Sequence, residues 1–229
     1  MTTSELEVSG SSWDVSQFQH TPFYCEENVY LLCKELGTKG IADAQSSDLF
    51  VVFVSNEKKQ ACALIPLWHQ KASSRADGIV LWDYHVICIQ RKGGGDSPSP
   101  HLVWDLDSSL PFPCPLARYV SETIRPDFQT FSEFQRYFRI VHAPVFLRCF
   151  ASDRRHMKDS VGNWLHQSPL YPPIVAEDGT VHNLNEYFDI RTTDAATDTG
   201  ADITNEVFTK KLGVVITESQ LEEFFSQIP

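Results

Sequence analysis

Long apolar runs, basic stretches, paired C-x-x-C cysteines and internal repeats are all missing from this chain, and each absence removes a class of function. The longest apolar runs, Leu49 to Val54 and Ile79 to Trp82, are strand-sized, far short of the ~20 residues of a membrane-spanning helix. No membrane partner is expected. Nineteen Lys and Arg stand against thirty Asp and Glu, a formal charge of -11, and no basic run is long enough to follow a phosphate backbone. Nucleic acid is therefore excluded as an expected partner. Met1 to Asp14 is polar and acidic, without the basic and apolar regions of a signal peptide. A cytosolic or nuclear location is expected. With no C-x-x-C pair there is no zinc signature, and a reducing compartment argues against a disulfide framework.

What is present is a chain of 229 residues, 42% of them apolar, enough for one large domain or two small ones. The first 20 or so residues are rich in Ser, Thr and Glu without periodicity and read as a flexible arm. Residues 21–229 read as a single catalytic domain. Val29, Leu32, Cys33 and Leu36 recur at helical spacing ahead of Gly37, which predicts a short amphipathic helix over Glu26 to Leu36 with a glycine stop. Leu49 to Ser55, Ala61 to Trp68, Ile79 to Gln90 and Leu102 to Leu106 then predict four strands of an antiparallel sheet. Thr130 with Glu133 is a capping-box pattern that predicts a helix through Tyr137, followed by a strand over Phe138 to His142. Thr217 with Gln220 repeats the signature before Leu221, Phe224, Phe225 and Ile228, so the chain is expected to end in a docked helix. The polar stretch 191–206 reads as a surface loop. Helix, sheet, then helices give an α+β class.

Six thiols, Cys25, Cys33, Cys62, Cys88, Cys114 and Cys149, are either all packing residues or include one nucleophile. Cys25 falls at the mouth of the first helix, where unpaired N–H groups and the helix dipole favour a thiolate. Glu26 and Glu27 beside it oppose that effect, and an ordinary acidic helix start with a buried Cys fits the same residues. Trp82-Asp83-Tyr84-His85-Val86 and Val103-Trp104-Asp105-Leu106-Asp107 flank the glycine-rich run Gly93 to Gly95. A hairpin centred near Gly95 sets His85 opposite Asp105 and Asp83 opposite Asp107, ~5 Å apart at Cβ. A register shifted by two changes the partners but preserves the shared face. Such a pair serves either as an oriented general base or as a structural hydrogen bond.

The runs Tyr24-Cys25-Glu26-Glu27-Asn28-Val29, Trp82-Asp83-Tyr84-His85-Val86, Asp105-Leu106-Asp107, Leu110-Pro111-Phe112-Pro113-Cys114, Ala151-Ser152-Asp153-Arg154 and His156-Met157-Lys158-Asp159-Ser160 closely resemble the protein N-terminal glutamine amidohydrolase family. The resemblance covers about Phe23 to Tyr187. It implies a monomeric α-β-α sandwich with a central, mainly antiparallel sheet and a papain- or transglutaminase-like cysteine-enzyme core. The implied activity is a hydrolase on linear amide C–N bonds that deamidates N-terminal glutamine of proteins or peptides to glutamate, releases ammonia through a thioester and feeds the Arg branch of the N-degron pathway. The family's triad carries over to Cys25, His85 and Asp105. No metal and no organic cofactor is implied. Before Phe23 and from Asp189 to Glu206 the chain departs from the animal pattern, so no function is assigned there.

A free N-terminus needs acceptors for an ammonium group, and Glu26, Glu27 and Asp153 are candidates, each equally readable as a solvated or ion-paired carboxylate. Tyr24, Trp82 and Phe112 are candidate pocket walls, with core packing as the alternative for each aromatic. Two rival functions remain: another cysteine enzyme on the same scaffold, a transglutaminase or a protease, and a module that binds N-termini without turnover.

Overall fold

The computed structural model describes residues 13–57, 64–92, 100–128 and 134–228. Six strands form one antiparallel sheet: β1 (Leu49–Ser55), β4 (His85–Gln90), β5 (Leu102–Trp104), β6 (Cys114–Pro115), β7 (Tyr137–His142) and β8 (Val214–Thr217), in the order β6-β5-β4-β1-β7-β8. A separate two-stranded ribbon pairs β2 (Ile65–Leu67) with β3 (Val80–Trp82). β1 lies in the interior of the sheet and all seven of its residues are buried, which is why its sequence is apolar throughout instead of alternating.

Helices cover both faces. Leu49, Val51 and Phe53 point to one side, where they meet α1 (Cys25–Thr38), α3 (Ala143–Cys149) and α4 (Leu184–Phe188). Phe50, Val52 and Val54 point to the other, packing with α2 (Leu116–Tyr119), the wide helical turn Val120–Ile124 and α6 (Leu221–Gln227). Period-two alternation along β1 thus supplies two cores at once. Burying a side chain such as Phe53 or Leu32 contributes roughly 1.5–3 kcal/mol.

Several elements differ from the sequence expectation. α1 does not stop at Gly37; it runs to Thr38, and the chain turns at Gly40 with φ +67°. The strand expected over Ile79 to Gln90 is broken at Asp83-Tyr84, because β3 pairs with β2 while β4 pairs with β1 and β5. The Asp83 carboxylate accepts the Tyr84 N–H at the break, at 3.0 Å. Between β4 and β5 the register sets Cys88 opposite Trp104 and Gln90 opposite Leu102, two residues away from a hairpin centred on Gly95.

Of the helix expected from Thr130 through Tyr137, residues 130–133 lie outside the described residues. Tyr137, its expected end, instead opens β7, paired with Thr217. Arg136 fixes that entry by a two-pronged bond to Glu218, 2.8 Å on each arm, and a 2.7 Å bond to the Pro66 carbonyl. The Thr217/Gln220 capping box forms and leads into α6. Within 191–206 lie a 3-10 turn, Thr192–Asp194, and α5 (Ala201–Glu206), with Thr199 and Thr204 buried. Residues 13–20 carry a 3-10 turn, Val15–Gln17, and a buried Phe18 that packs edge-on against Trp104 and Phe112. Among the described residues, no helix is long and apolar enough to cross a membrane.

Candidate active site

The first turn of α1, Cys25 to Asn28, is wholly buried, which is unusual for two glutamates unless they are paired. Glu27 is held by Arg154 through two bonds of 2.8 and 2.6 Å. Glu26 accepts the Tyr84 hydroxyl at 3.0 Å and lies 3.7 Å from the Cys25 sulfur. Asn28 clamps the chain leading into the helix, exchanging two 2.8 Å bonds with the Thr21 backbone. Between them, Phe23 takes a left-handed φ of +72°, a costly conformation for a bulky residue. Its ring stacks on His166 at 3.7 Å.

α1 packs on β4, whose first residue is His85. His85 is fully buried. Its Nε2 meets Asp105 Oδ1 at 3.0 Å, while Nδ1 is buried with no hydrogen-bond partner. The two residues sit at the entrance of β4 and just past the end of β5, diagonal to each other and on one face. Trp82 stacks on the imidazole, 5.0 Å between centroids and 19° from parallel. Asp105 is oriented in turn by the Tyr119 hydroxyl, 2.8 Å from Oδ2, and by the Asp107 N–H, 3.0 Å from Oδ1.

These surroundings set the protonation states. Burial pushes the Cys25 thiol well above its ordinary value, and the carboxylates of Glu26, Asp107 and Asp83 add to the shift against the opposing Val86 N–H. The helix terminus does not overcome these effects, and the resting sulfur is a thiol. For His85, burial opposes the charged form, but the charge and hydrogen bond of Asp105, with Asp107 behind it, outweigh burial and raise the imidazole. Asp105 is lowered: burial works against its charge, and His85, Tyr119 and the Asp107 N–H together prevail. Burial, with Glu27 nearby, moves Glu26 up to about 7 against the hydrogen bonds it accepts.

Cys25 opens into a cleft of about 550 Å³. Phe23, Val80 to Tyr84, Asp107, His156, Met157, Leu165 and His166 are among the residues that line it with Cys25. Trp82 thus lines the cleft. Tyr24 is fully buried near the Arg154 guanidinium, and Phe112 packs on Phe18 and Trp104 in the core; neither lines the cleft. Asp153 is engaged by Arg155 at 2.8 and 2.5 Å. His156 is exposed and lines the cleft.

Tyr119 and His20 were not singled out from sequence, and Asp107 was read there only as the cross-strand partner of Asp83. His20 lies in the segment given no function, yet its Nε2 bonds Asp107 Oδ1 at 2.9 Å. A second carboxylate in the Asp105-Leu106-Asp107 run was the one available signal. His85, Asp105 and Asp107 each offer a donor atom within 4.8 Å of the others, the one group of metal-ligating type among the described residues. Its donors are already joined to each other and to His20 and Tyr119. The described cysteines are free thiols, with Cys33 and Cys88 3.8 Å apart in the core; Cys62 lies outside the described residues.

Of Cys25, His85 and Asp105, Cys25 lines the cleft, and His85 and Asp105 are buried. The family model for N-terminal glutamine amidase matches residues 20–225. This chain belongs to the N-terminal glutamine amidase family. It is 60% identical over 216 residues to the protein N-terminal glutamine amidohydrolase of Arabidopsis thaliana, covering 94% of this chain and 95% of that one. The protein of the same name from Oryza sativa subsp. indica is 56% identical over 217 residues, 94% and 90% of the two chains. The Homo sapiens protein so named is 39% identical over 190 residues, 83% and 85%. Amidase family membership spans the whole sheet and every residue that lines the cleft.

Proposed function

We propose that this chain is a protein N-terminal glutamine amidohydrolase that works through a Cys25–His85–Asp105 triad on a papain- or transglutaminase-like core. The observation that carries the reading is the placement of a buried thiol beside β4, where His85 has one nitrogen held by Asp105 and the other free. Cys25 transfers its proton to His85 as the sulfur attacks the δ-carbon of the N-terminal glutamine. The imidazolium then donates that proton to the departing nitrogen, which leaves as ammonia, and a thioester remains. Water, losing a proton to His85, attacks the thioester. The C–S bond breaks, the sulfur regains its proton, and glutamate is released. Asp105 holds the imidazole orientation and stabilises its charged form throughout.

The oxyanion needs N–H donors. The Cys25 N–H, at the first position of α1, is the candidate donor. The family resemblance supports action as a monomer in the cytosol or nucleus on proteins bearing N-terminal glutamine, at the entry to the Arg branch of the N-degron pathway.

The test is ammonia release and the amide-to-acid mass change on a peptide that begins with glutamine. Wild-type protein is expected to convert it and to spare the same peptide with an acetylated or internal glutamine, and Cys25→Ala should be inactive. A fully active Cys25→Ala variant would falsify the mechanism. Cross-linking to an added amine would point to a transglutaminase, and backbone cleavage to a protease.

A further inference from the structure

An enzyme restricted to a first residue must read the α-ammonium group beside the side chain it opens. Three acidic residues suggested themselves from sequence, and the fold occupies all three: Glu27 with Arg154, Asp153 with Arg155, and Glu26 with the Tyr84 hydroxyl at 1% exposure. The cleft itself carries two other carboxylates, Asp83 and Asp107. Asp83 is exposed, and its Oδ1 is spent on the Tyr84 N–H.

Asp107 is differently placed. Its side chain is 15% exposed, Oδ1 is aimed by His20, and no hydrogen bond reaches Oδ2 among the described residues. Its own N–H anchors it to Asp105, and its carboxylate lies within 4.8 Å of the His85 and Asp105 donor atoms. We infer that Asp107, steadied by His20, receives the α-ammonium group of the substrate and so confines the reaction to a free N-terminal glutamine. This rests on the amidohydrolase reading above.

Asp107 and Cys25 line the same cleft, and the Asp107 charge acts on the thiol. In an extended glutamine about 5 Å separates the α-nitrogen from the δ-carbon. A hydrogen bond of about 3 Å at one end and an attack distance of about 3–3.5 Å at the other let one substrate residue bridge Asp107 and Cys25. Shortening that residue by one methylene, or acylating its nitrogen, breaks one of the two contacts. A partly shielded carboxylate is also the better ammonium acceptor, because screening weakens an exposed one.

The experiment compares kcat/KM for two peptides identical after the first residue, one beginning with glutamine and the other with its des-amino analogue, which keeps the carboxamide and lacks the α-nitrogen. Wild-type protein is expected to prefer the glutamine peptide by about 10- to 150-fold, the range of one hydrogen bond to a charged group. The preference should fall as pH rises through the substrate amine's ionisation near 8. In Asp107→Asn the ratio should collapse towards one, with the loss in KM, whereas Asp83→Asn should keep it. A ratio that stays at the wild-type value in Asp107→Asn, including one in which both peptides slow equally, overturns the inference, as does collapse in Asp83→Asn alone. His20→Gln leaves Asp107 in place without its aim and reads the same ratio if Asp107→Asn does not fold; an unchanged ratio there also overturns it. If wild-type protein releases ammonia from neither peptide, the amidohydrolase reading itself falls, and the inference with it.

Discussion

Asp105 and Glu26 are both buried carboxylates; at Asp105 the partners overcome burial and at Glu26 burial overcomes the partners, so the two shift in opposite directions, each with a measurable consequence. Asp105 raises the His85 imidazole. Because the neutral imidazole is the base, kcat/KM should climb as pH rises through a midpoint above the ordinary 6.5, one that belongs to the coupled thiol–imidazole pair. Asp105→Asn leaves burial opposed only by Asp107 and should move that midpoint down while slowing turnover, which a pH–rate profile of the two proteins resolves. Glu26 goes from 4.5 to about 7. Below 4.5 the folded and unfolded chains both hold its proton. As pH rises towards 7 only the unfolded chain ionises, so stability is lost across that window and is flat above it. Glu26→Gln should remove the loss, gaining on the order of 3 kcal/mol relative to wild type between pH 4.5 and 7, read as denaturation midpoints at several pH values. A pH-independent difference between the two proteins would contradict this assignment.

The elements show which contacts carry these residues to one place. Helix α1 supplies the thiol, but the segment after α3 holds the start of α1, through the fork of Arg154 on Glu27 and the Arg154 bond to the Tyr171 carbonyl at 3.0 Å. Arg154→Ala strands a wholly buried carboxylate and should cost about 3–5 kcal/mol. Adding Glu27→Gln to that variant should recover a substantial part, as a double-mutant cycle in urea would show; no recovery would mean the pair is not coupled. The break between β3 and β4 has a similar role. Written as one apolar run, Ile79 to Gln90 reads as one strand. Only the competition between two partners, β2 for its first half and β1 for its second, divides it. That division brings Trp82 over His85. By contrast α1 and α6 were legible, since a 3.6-residue apolar period and a local capping box need no distant partner.

At the scale of the molecule, residues 13–20 pack onto the domain. Phe18 is 5% exposed against Trp104 and Phe112, and His20 reaches Asp107. Deleting residues 1–20 should therefore lower the thermal midpoint by the equivalent of roughly 1.5–3 kcal/mol for Phe18 alone, and deleting 1–12 should spare these contacts. Equal midpoints for the two truncations would show that the segment adds nothing. By itself the sequence determined the α+β class, the two-faced strand β1, the order of thiol, imidazole and carboxylate, and the parity that keeps His85 and Asp105 on one face, because all of these follow from periodicity and order along the chain. Tertiary structure alone decided the register that sets those two residues diagonally, the removal of Glu27 and Asp153 from the cleft, the arrival of Tyr119 and His20, and the neutral state of the Cys25 thiol. Each of these depends on desolvation or on partners distant in sequence, and both exist only once the chain has folded.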